Sequence, residues 1–271
     1  DSTSSLSAEH ADFRQMALSL LKQFWGYPGF RPLQEEIIQS VLSGKDTLAL
    51  LPTGGGKSIC YQVPALCKEG LCLVISPLIA LMKDQVEQLR KKNITAFAIY
   101  SGMNRKEVIN TLKVAAESNC KFLYISPERL ETSLFKEYLP GLGVNLIAVD
   151  EAHCISQWGY DFRPPYMRIA SLREELPGIP ILALTASATP AVQEDIISKL
   201  AFRQKNVFKQ SFERPNLSYS VFKVDSKINK ILTILQNVPG SSLVYCKTRK
   251  RTKEISDLLA MHGINADYYH A

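Results

Sequence analysis

The stretch Leu48-Ala-Leu-Leu-Pro-Thr-Gly-Gly-Gly-Lys-Ser58 passes from a short apolar segment into three glycines, a lysine and a serine. Glycines let backbone N–H groups converge on phosphate oxygens, because no Cβ stands in the way. In such a loop Lys57 reaches the β- and γ-phosphates and Ser58 ligates Mg²⁺, while the next helix points its positive end at the ligand. The stretch therefore predicts a polyphosphate-binding loop between a buried strand and a helix.

This match departs from the full phosphate-binding pattern at one position. Leu51 stands where the pattern has its first glycine, so the stretch taken alone is also compatible with an ordinary glycine-rich turn. The choice between the two interpretations depends on what the rest of the chain contains.

Strand-like apolar runs alternate with helical patterns along the chain. The runs cover residues 47–51, 71–76, 96–100, 121–126, 146–150 and 181–185, and the clearest helical patterns cover 13–25, 32–42, 78–92 and 106–117. Short apolar strands that alternate with helices predict an α/β fold, in which helices cover both faces of a parallel sheet. Ligands of such sheets bind beyond the carboxyl ends of the strands, where the glycine loop falls.

Length, charge and cysteine content limit the class of protein. The 271 residues, 46% of them hydrophobic, suffice for a large domain and part of a second. No apolar run is long enough to cross a bilayer, and residues 1–12 lack a signal-peptide pattern, so we expect a flexible leader and no membrane partner. The six scattered cysteines indicate reduced thiols of a cytosolic protein without a zinc site. A net charge of +6 suits an anionic partner, although a solvated basic face explains it equally well.

A change in composition marks a domain boundary near residue 210. Residues 211–217 form a proline-containing connector, and a strand-like run at 243–246, a basic helix start at 247–253 and another strand-like run at 267–269 follow it. We expect a first domain over 13–209 and a second over 210–271.

The segment Leu146-Ile-Ala-Val-Asp-Glu-Ala-His153 is an apolar strand that ends in two acids. An aspartate at this point can hold Mg²⁺ opposite Ser58, and Glu151 can orient and deprotonate the attacking water. An isolated Asp-Glu pair is often only an acidic turn. Together with the glycine loop, and in the right order, the pair predicts nucleotide hydrolysis.

A family resemblance becomes specific at Asp150-Glu-Ala-His153. With the glycine loop, Ser76-Pro-Leu-Ile-Ala-Leu-Met-Lys-Asp-Gln85 and Ala183-Leu-Thr-Ala-Ser-Ala-Thr189, it resembles the superfamily 2 helicases. The continuation Cys154-Ile-Ser-Gln-Trp-Gly-Tyr-Asp-Phe-Arg-Pro-Pro-Tyr166 and the upstream Phe30-Arg-Pro-Leu-Gln34 are similar to the RecQ family of DNA helicases. The resemblance extends from about residue 20 to the end of the chain.

The resemblance implies a RecA-like P-loop NTPase domain, followed by an incomplete second RecA-like domain. It also implies an ATP- and Mg²⁺-dependent DNA helicase that moves 3′ to 5′ on single strands and unwinds duplex DNA in repair and recombination. Expected partners are single-stranded and forked DNA, and a single-stranded-DNA-binding protein through a C-terminal region outside this chain. The expected location is the bacterial cytoplasm (nucleoid) or the eukaryotic nucleus.

The resemblance also assigns the nucleotide site. Tyr27 and Arg31 would pack on adenine and Gln34 would read its edge, although Arg31 is equally suited to a solvated position at a helix N-terminus. Thr53, Gly54, Gly55, Gly56, Lys57 and Ser58 would hold the phosphates, and Ser58 and Asp150 would hold Mg²⁺. The catalytic group would comprise Lys57, Asp150, Glu151, His153 and Gln157, with the last two linking the γ-phosphate to the DNA site. Thr185 and Ser187 match the segment that ties hydrolysis to unwinding.

The DNA contacts follow from the same resemblance. Trp158, Phe162 and Arg163 match an aromatic-rich loop that senses single-stranded DNA, and flat rings and guanidinium groups do stack on bases. Packing between domains is the alternative for these three. Ser76, Ser101 and Arg129 resemble residues that follow a phosphate backbone. Arg129 is also suited to capping a helix or pairing with Glu128 or Glu131. Two positions depart from the common form of the loop: Tyr160 replaces a frequent histidine and Pro165 a frequent acid.

Two other functions stay open, namely a different superfamily 2 nucleic-acid translocase and a non-catalytic nucleic-acid-binding fragment. The second domain's arginine that completes the ATP site in RecQ proteins is absent from these residues. We therefore expect the chain alone to bind ATP and DNA weakly and to lack full activity.

Overall fold

The computed structural model describes residues 2–52, 56–211 and 213–270, with side chains from residue 11 onward. The chain divides into two compact units, residues 1–212 and residues 213–271. Among the described helices, none is both long enough and apolar enough to cross a membrane.

The first unit is built on a seven-stranded sheet in which every recorded strand pair is parallel, in the order β3-β4-β2-β5-β6-β1-β7. The strands are β1 (Thr47–Leu50), β2 (Leu71–Ile75), β3 (Ala96–Ile99), β4 (Phe122–Ile125), β5 (Val144–Val149), β6 (Ile181–Thr185) and β7 (Val207–Lys209). The first six confirm the predicted α/β sheet. β7 was not predicted, because two half-buried residues and one exposed residue carry no pattern until they pair with β1.

The helices of this unit are α1 (Ser2–Trp25), α2 (Gln34–Leu42), α3 (Ile59–Leu66), α4 (Ile79–Lys91), α5 (Arg105–Glu117), α6 (Ser133–Tyr138), α7 (Leu172–Glu175) and α8 (Pro190–Lys199). Short 3₁₀ turns cover Pro127–Arg129, Leu139–Gly141, Ala152–Ile155 and Pro164–Ser171. Helix α1 includes residues 2–12, which we expected to belong to a flexible leader. No glycine or proline interrupts Ser2–Trp25, so nothing in this segment breaks the helix.

Two hydrophobic cores lie on the opposite faces of the sheet. Successive strand residues point to opposite faces, so Leu48 and Leu50 pack into one core and Ala49 and Leu51 into the other. Helices α5, α6, α7 and α8 contribute to the first core, and α2, α3 and α4 contribute to the second. The strands are therefore buried on both faces, which explains their nearly continuous apolar sequences.

The second unit contains α9 (Lys227–Asn237) and α10 (Arg249–Met261). Residues 243–246 and 267–269, predicted as strands, are not strands, and the described part of this unit contains none. A strand needs a neighbour to pair its backbone N–H and C=O groups. Leu243 and Tyr245 are instead 84% and 92% exposed.

Candidate functional site: a nucleotide cleft at the carboxyl edge of the sheet

The glycine loop is closed by the side chain of Gln34. This buried amide accepts a hydrogen bond from the Arg31 backbone N–H through Oε1 (2.8 Å) and donates through Nε2 to the Gly56 carbonyl (3.0 Å). Gly56 has a φ of 72°, and a Cβ there would lie 2.3 Å from Gln34 Nε2. Glycine is therefore required at position 56 for conformation and for space. The predicted phosphate ligands Thr53, Gly54 and Gly55 lie outside the described residues.

A single cleft of about 890 Å³ collects most of the predicted nucleotide residues. One part is lined by the predicted adenine group, Tyr27, Arg31 and Gln34. Another part is lined by the predicted phosphate and metal group, Lys57, Ser58, Asp150 and Glu151. The structure thus brings together residues that are separated by more than a hundred positions in the chain.

Glu151 lies at the centre of a polar chain that crosses the cleft. Its Oε1 is 4.0 Å from Lys57 Nζ, and its Oε2 is 3.4 Å from His153 Nδ1. Glu151 has φ 50° and ψ 45°, a left-handed conformation that costs a non-glycine residue on the order of 1 kcal/mol. The Glu151 carboxylate, which is carried on a strained backbone at the end of β5, therefore lies between a cation and an imidazole.

Asp150 is held by its neighbours in a half-buried position. One carboxylate oxygen accepts the Glu151 N–H (3.0 Å), and the Asp150 carbonyl accepts the Tyr166 hydroxyl (2.8 Å). Burial raises the pKa of Asp150; nearby Lys57 opposes this shift and Glu151 adds to it. A bound cation would remove the cost of burying this charge, and carboxylate and hydroxyl oxygens are ligands that Mg²⁺ prefers. Asp150 and Ser58 therefore fit a magnesium ion.

The imidazole of His153 is fixed by Thr185 at the end of β6. His153 Nδ1 lies 2.8 Å from the Thr185 hydroxyl, which donates its only proton to the Ser187 carbonyl (3.2 Å). We infer that Nδ1 carries a proton and donates it to Thr185. Burial lowers the pKa of His153, against the opposing effects of Glu151 and Asp161. His153 is thus a neutral imidazole whose tautomer is set by Thr185.

The predicted aromatic-rich residues all lie on residues 154–163, which we call the aromatic segment. Trp158 is 78% exposed, Gln157 is exposed, and Phe162 is half-buried. Arg163 forms an ion pair with Asp161 (3.3 Å). Tyr160 stacks on His153 with ring centroids 4.9 Å apart. Tyr160, one of the two residues that depart from the common form of the loop, therefore contacts the polar chain of the cleft.

The aromatic segment also brings His153, Cys154 and Asp161 within 4.8 Å of one another, although the cysteine and histidine spacing indicated no metal site. Burial, and then the Asp161 carboxylate, raise the pKa of the Cys154 thiol to about 12. Asp161 is also engaged by Arg163. Because the Arg163 guanidinium already engages the Asp161 carboxylate, we assign no metal here.

The three residues predicted to follow a phosphate backbone have different environments. Ser76 is buried at the end of β2 and Ser101 is exposed after β3. Arg129 donates hydrogen bonds to the carbonyls of Tyr100 (3.1 and 3.2 Å) and Met103 (2.8 Å). The guanidinium thus holds the turn between β3 and α5, and Glu131 pairs with Arg168 rather than with Arg129. The phosphate contact of Arg129 stays a prediction.

Several residues that line the cleft were not predicted. The hydroxyls of Tyr61 and Tyr124 lie 2.8 Å apart, and Gln62 donates hydrogen bonds to Tyr124 (3.3 Å) and to Gln85 on α4 (3.1 Å). Tyr61 and Gln62 follow Ser58 by one helical turn, so their spacing from this predicted ligand could have indicated them. Tyr124 carries no such signal, because it appears as one more apolar strand residue.

The comparisons with known proteins agree with this geometry. Residues 31–196 match the family described as DEAD/DEAH box helicase. The ATP-dependent DNA helicase RecQ of Pasteurella multocida (strain Pm70) is 40% identical over all of this chain and 43% of its own length. The RecQ helicase of Bacillus subtilis (strain 168) is 45% identical over 94% of the chain and 44% of its own length.

A solved structure shows the same fold at low sequence identity. The DUF1998 helicase MrfA superposes with a TM-score of 0.61 at 17% identity, over 93% of this chain and 41% of that protein. The chain spans less than half the length of the two RecQ relatives. The family match covers more than half of the chain, and the identity to RecQ proteins extends over nearly all of it. The chain belongs to the DEAD/DEAH box helicase family, and within it to the RecQ helicases.

Proposed function

We propose that this chain is the ATP-hydrolysing motor portion of a RecQ-type DNA helicase. The observation that carries the proposal is the position of Glu151, which lies between Lys57 and His153 in a cleft lined by the predicted adenine residues. A carboxylate held in this way suits a general base that orients a water molecule for attack on the γ-phosphate.

Different residues of the cleft would contact different parts of ATP. Tyr27, Arg31 and Gln34 would hold the base, and Lys57 would exchange its contact with Glu151 for the phosphates. Ser58 and Asp150 would hold Mg²⁺, which neutralises charge on the phosphate oxygens when bound. His153, fixed by its Nδ1–H bond to Thr185, would lie against the Glu151 carboxylate, with Nδ1 3.4 Å from Oε2, and limit its movement.

The aromatic segment supports single-stranded DNA as the substrate. An exposed indole at Trp158 can stack on bases without regard to sequence, with Phe162 and Arg163 beside it. We propose 3′ to 5′ translocation, unwinding of forked DNA in repair or recombination, and a location with the genome in the nucleoid or nucleus. Binding of a single-stranded-DNA-binding protein would need regions outside this chain.

These activities are proposed for the full-length protein, in which residues 213–271 would begin the second RecA-like domain. Stimulated hydrolysis needs an arginine that reaches the γ-phosphate and contributes on the order of 10³ or more in rate. The 271 residues alone are therefore expected to bind ATP and DNA weakly and to hydrolyse ATP poorly.

The test is the ATPase activity of the full-length protein with single-stranded DNA, with RNA of the same sequence, and without nucleic acid. We expect stimulation by DNA only, and a loss of roughly 10² or more in kcat for Glu151→Gln while binding of a fluorescent ATP analogue persists. Lys57→Ala should lose both ATP hydrolysis and binding of the analogue. The surface variant Glu194→Gln is the control. Stimulation by RNA as strong as by DNA would indicate another superfamily 2 translocase, and hydrolysis unaffected by Lys57→Ala would refute the enzymatic role.

A further inference from the structure

A hydrogen-bonded cluster outside the cleft fastens the aromatic segment to helix α8. The buried Ser156 hydroxyl donates to Asp195 Oδ2 at 2.6 Å and accepts the Trp158 backbone N–H at 3.2 Å. Lys199, one turn further along α8, lies 3.1 Å from the same Asp195 oxygen and donates to the Ile155 carbonyl. No predicted role in nucleotide or DNA binding involves Ser156, Asp195 or Lys199.

The chemistry of this cluster makes Asp195 its organising group. A hydroxyl that donates to a carboxylate forms a short, charge-assisted bond, which is among the strongest that a side chain makes. Ser156 has only one hydroxyl proton. Because Asp195 takes that proton, the lone pairs of the Ser156 oxygen remain to accept the Trp158 N–H.

The backbone of Trp158 is held by this hydrogen bond, whereas its side chain is not held by packing. Its indole is mostly exposed, so packing does little to hold it. The segment is closed on itself by hydrogen bonds from the Arg163 N–H to the Cys154 carbonyl (2.8 Å) and from the Gly159 N–H to the Ser156 carbonyl (3.2 Å). Ser156 lies at the base of the inner turn, residues 156–159, which carries Trp158.

The Ser156–Asp195 contact has a counterpart at His153, which is held by the same part of the fold. Helix α8 follows β6, whose last residue Thr185 holds the imidazole of His153. The stretch from the catalytic acids to Trp158 is thus tied twice to the same β6–α8 unit, at His153 by Thr185 and at Ser156 by Asp195. A shift of this unit would move the catalytic histidine and Trp158 together.

We propose that Asp195 is a positioning residue, which aims Trp158 at single-stranded DNA through the Ser156 hydroxyl. The inference rests on the proposed function, because it assumes that Trp158 stacks on DNA bases. It adds a residue of α8 that contacts neither nucleotide nor DNA and acts through the loop.

The first measurement needs no DNA. The chain contains two tryptophans, Trp25 and Trp158, so Trp25→Phe leaves Trp158 as the single indole fluorophore of these residues. With excitation beyond the tyrosine absorption band, we expect Asp195→Asn and Ser156→Ala to lower the fluorescence anisotropy of Trp158. Glu194→Gln is the matched control, because Glu194 lies beside Asp195 on the same helix and pairs with Lys205 at the surface.

The second measurement uses the full-length protein with its natural Trp25. Asp195→Asn and Ser156→Ala should each raise the single-stranded DNA concentration for half-maximal ATPase stimulation by about tenfold, the equivalent of one charge-assisted hydrogen bond. The ATPase rate without DNA should stay unchanged. The double variant should be no worse than Ser156→Ala alone, because that substitution already removes the hydroxyl through which Asp195 acts.

The outcomes separate the two proposals. Unchanged Trp158 anisotropy and unchanged DNA dependence in both variants would overturn the role of Asp195. Equal losses with and without DNA would also overturn it, because they would indicate a general structural role. If the anisotropy falls but single-stranded DNA does not stimulate the unsubstituted protein, Asp195 positions the loop and the proposed DNA function fails.

Discussion

Replacing Asp46 with asparagine should destabilise the first unit more than any comparable surface change. The Asp46 side chain is fully buried before β1 and accepts hydrogen bonds from the backbone N–H groups of Ile181 (3.0 Å) and Arg203 (2.8 Å). The guanidinium groups of Arg173 and Arg203 lie 2.8 and 3.2 Å from its Oδ2. One carboxylate thus joins the starts of β1 and β6 to the segment that leads into β7.

The magnitude follows from the exposure of each partner. Arg203 is 45% exposed, so solvent screens its ion pair and reduces its contribution to well under 1 kcal/mol. Arg173 is 15% exposed, and the two backbone N–H groups bind a charged acceptor, so these contacts carry most of the effect. We expect Asp46→Asn to lower the free energy of unfolding by about 3 kcal/mol.

The assay is urea unfolding of the chain followed by tryptophan fluorescence. Both tryptophans lie in residues 1–212, so the signal reports on the first unit. Asp84→Asn, the same substitution at an exposed site on α4, is the control and should change the free energy of unfolding by less than about 0.5 kcal/mol. If Asp46→Asn matched this control, the role of Asp46 as an anchor would be refuted.

The pH dependence provides a second check on Asp46. Burial by itself raises the pKa of this carboxyl, but the hydrogen bonds from Arg203 and Ile181, together with the nearby Arg173 guanidinium, outweigh burial and hold the pKa below its ordinary value. A group with a lowered folded-state pKa stabilises the protein above its unfolded-state pKa, and the stabilisation disappears as the pH falls through the folded-state pKa. The difference between wild type and Asp46→Asn should therefore be constant near neutral pH and shrink below about pH 4.

Two further predictions concern the cleft. Gly56→Ala should weaken ATP binding by about tenfold or more in a fluorescent-nucleotide titration, because the new Cβ would displace Gln34 and a φ of 72° would strain the loop. Gly29→Ala, where nothing lies within 4 Å of the added Cβ, should bind normally, and equal losses would refute the steric argument. Thr185→Val should lower kcat about tenfold with little change in KM, because His153 loses the acceptor of its Nδ1–H, whereas Thr185→Ser should retain activity. Equal losses in the valine and serine variants would contradict this.

Much of this architecture could be predicted before any coordinates. Six strands appear as apolar runs, because a parallel strand covered on both faces has no polar positions to interrupt it. The glycine loop and the Asp150-Glu151 pair were predicted at strand ends, and the structure places Gly56, Lys57 and the two acids in one cleft at the edge of the sheet. These features depend on local composition and order, which the sequence displays directly.

Other features could not be predicted because their partners are distant in the chain. Arg129 donates hydrogen bonds to the carbonyls of Met103 and Tyr100, which are 26 and 29 residues away. No local sequence pattern predicts these contacts. Strand β7 forms because its backbone pairs with β1. Residues 243–246 form no strand because no described segment pairs with them.

The sequence by itself determined the fold class and predicted the glycine loop and the acidic pair at strand ends, because each depends on residue type and spacing along the backbone. Only the tertiary structure decided which groups complete the site. Gln34 closes the loop at Gly56, Thr185 sets the tautomer of His153, and Asp195 holds Ser156 beneath Trp158. These are contacts between side chains of different elements, and their directions follow from packing on the sheet.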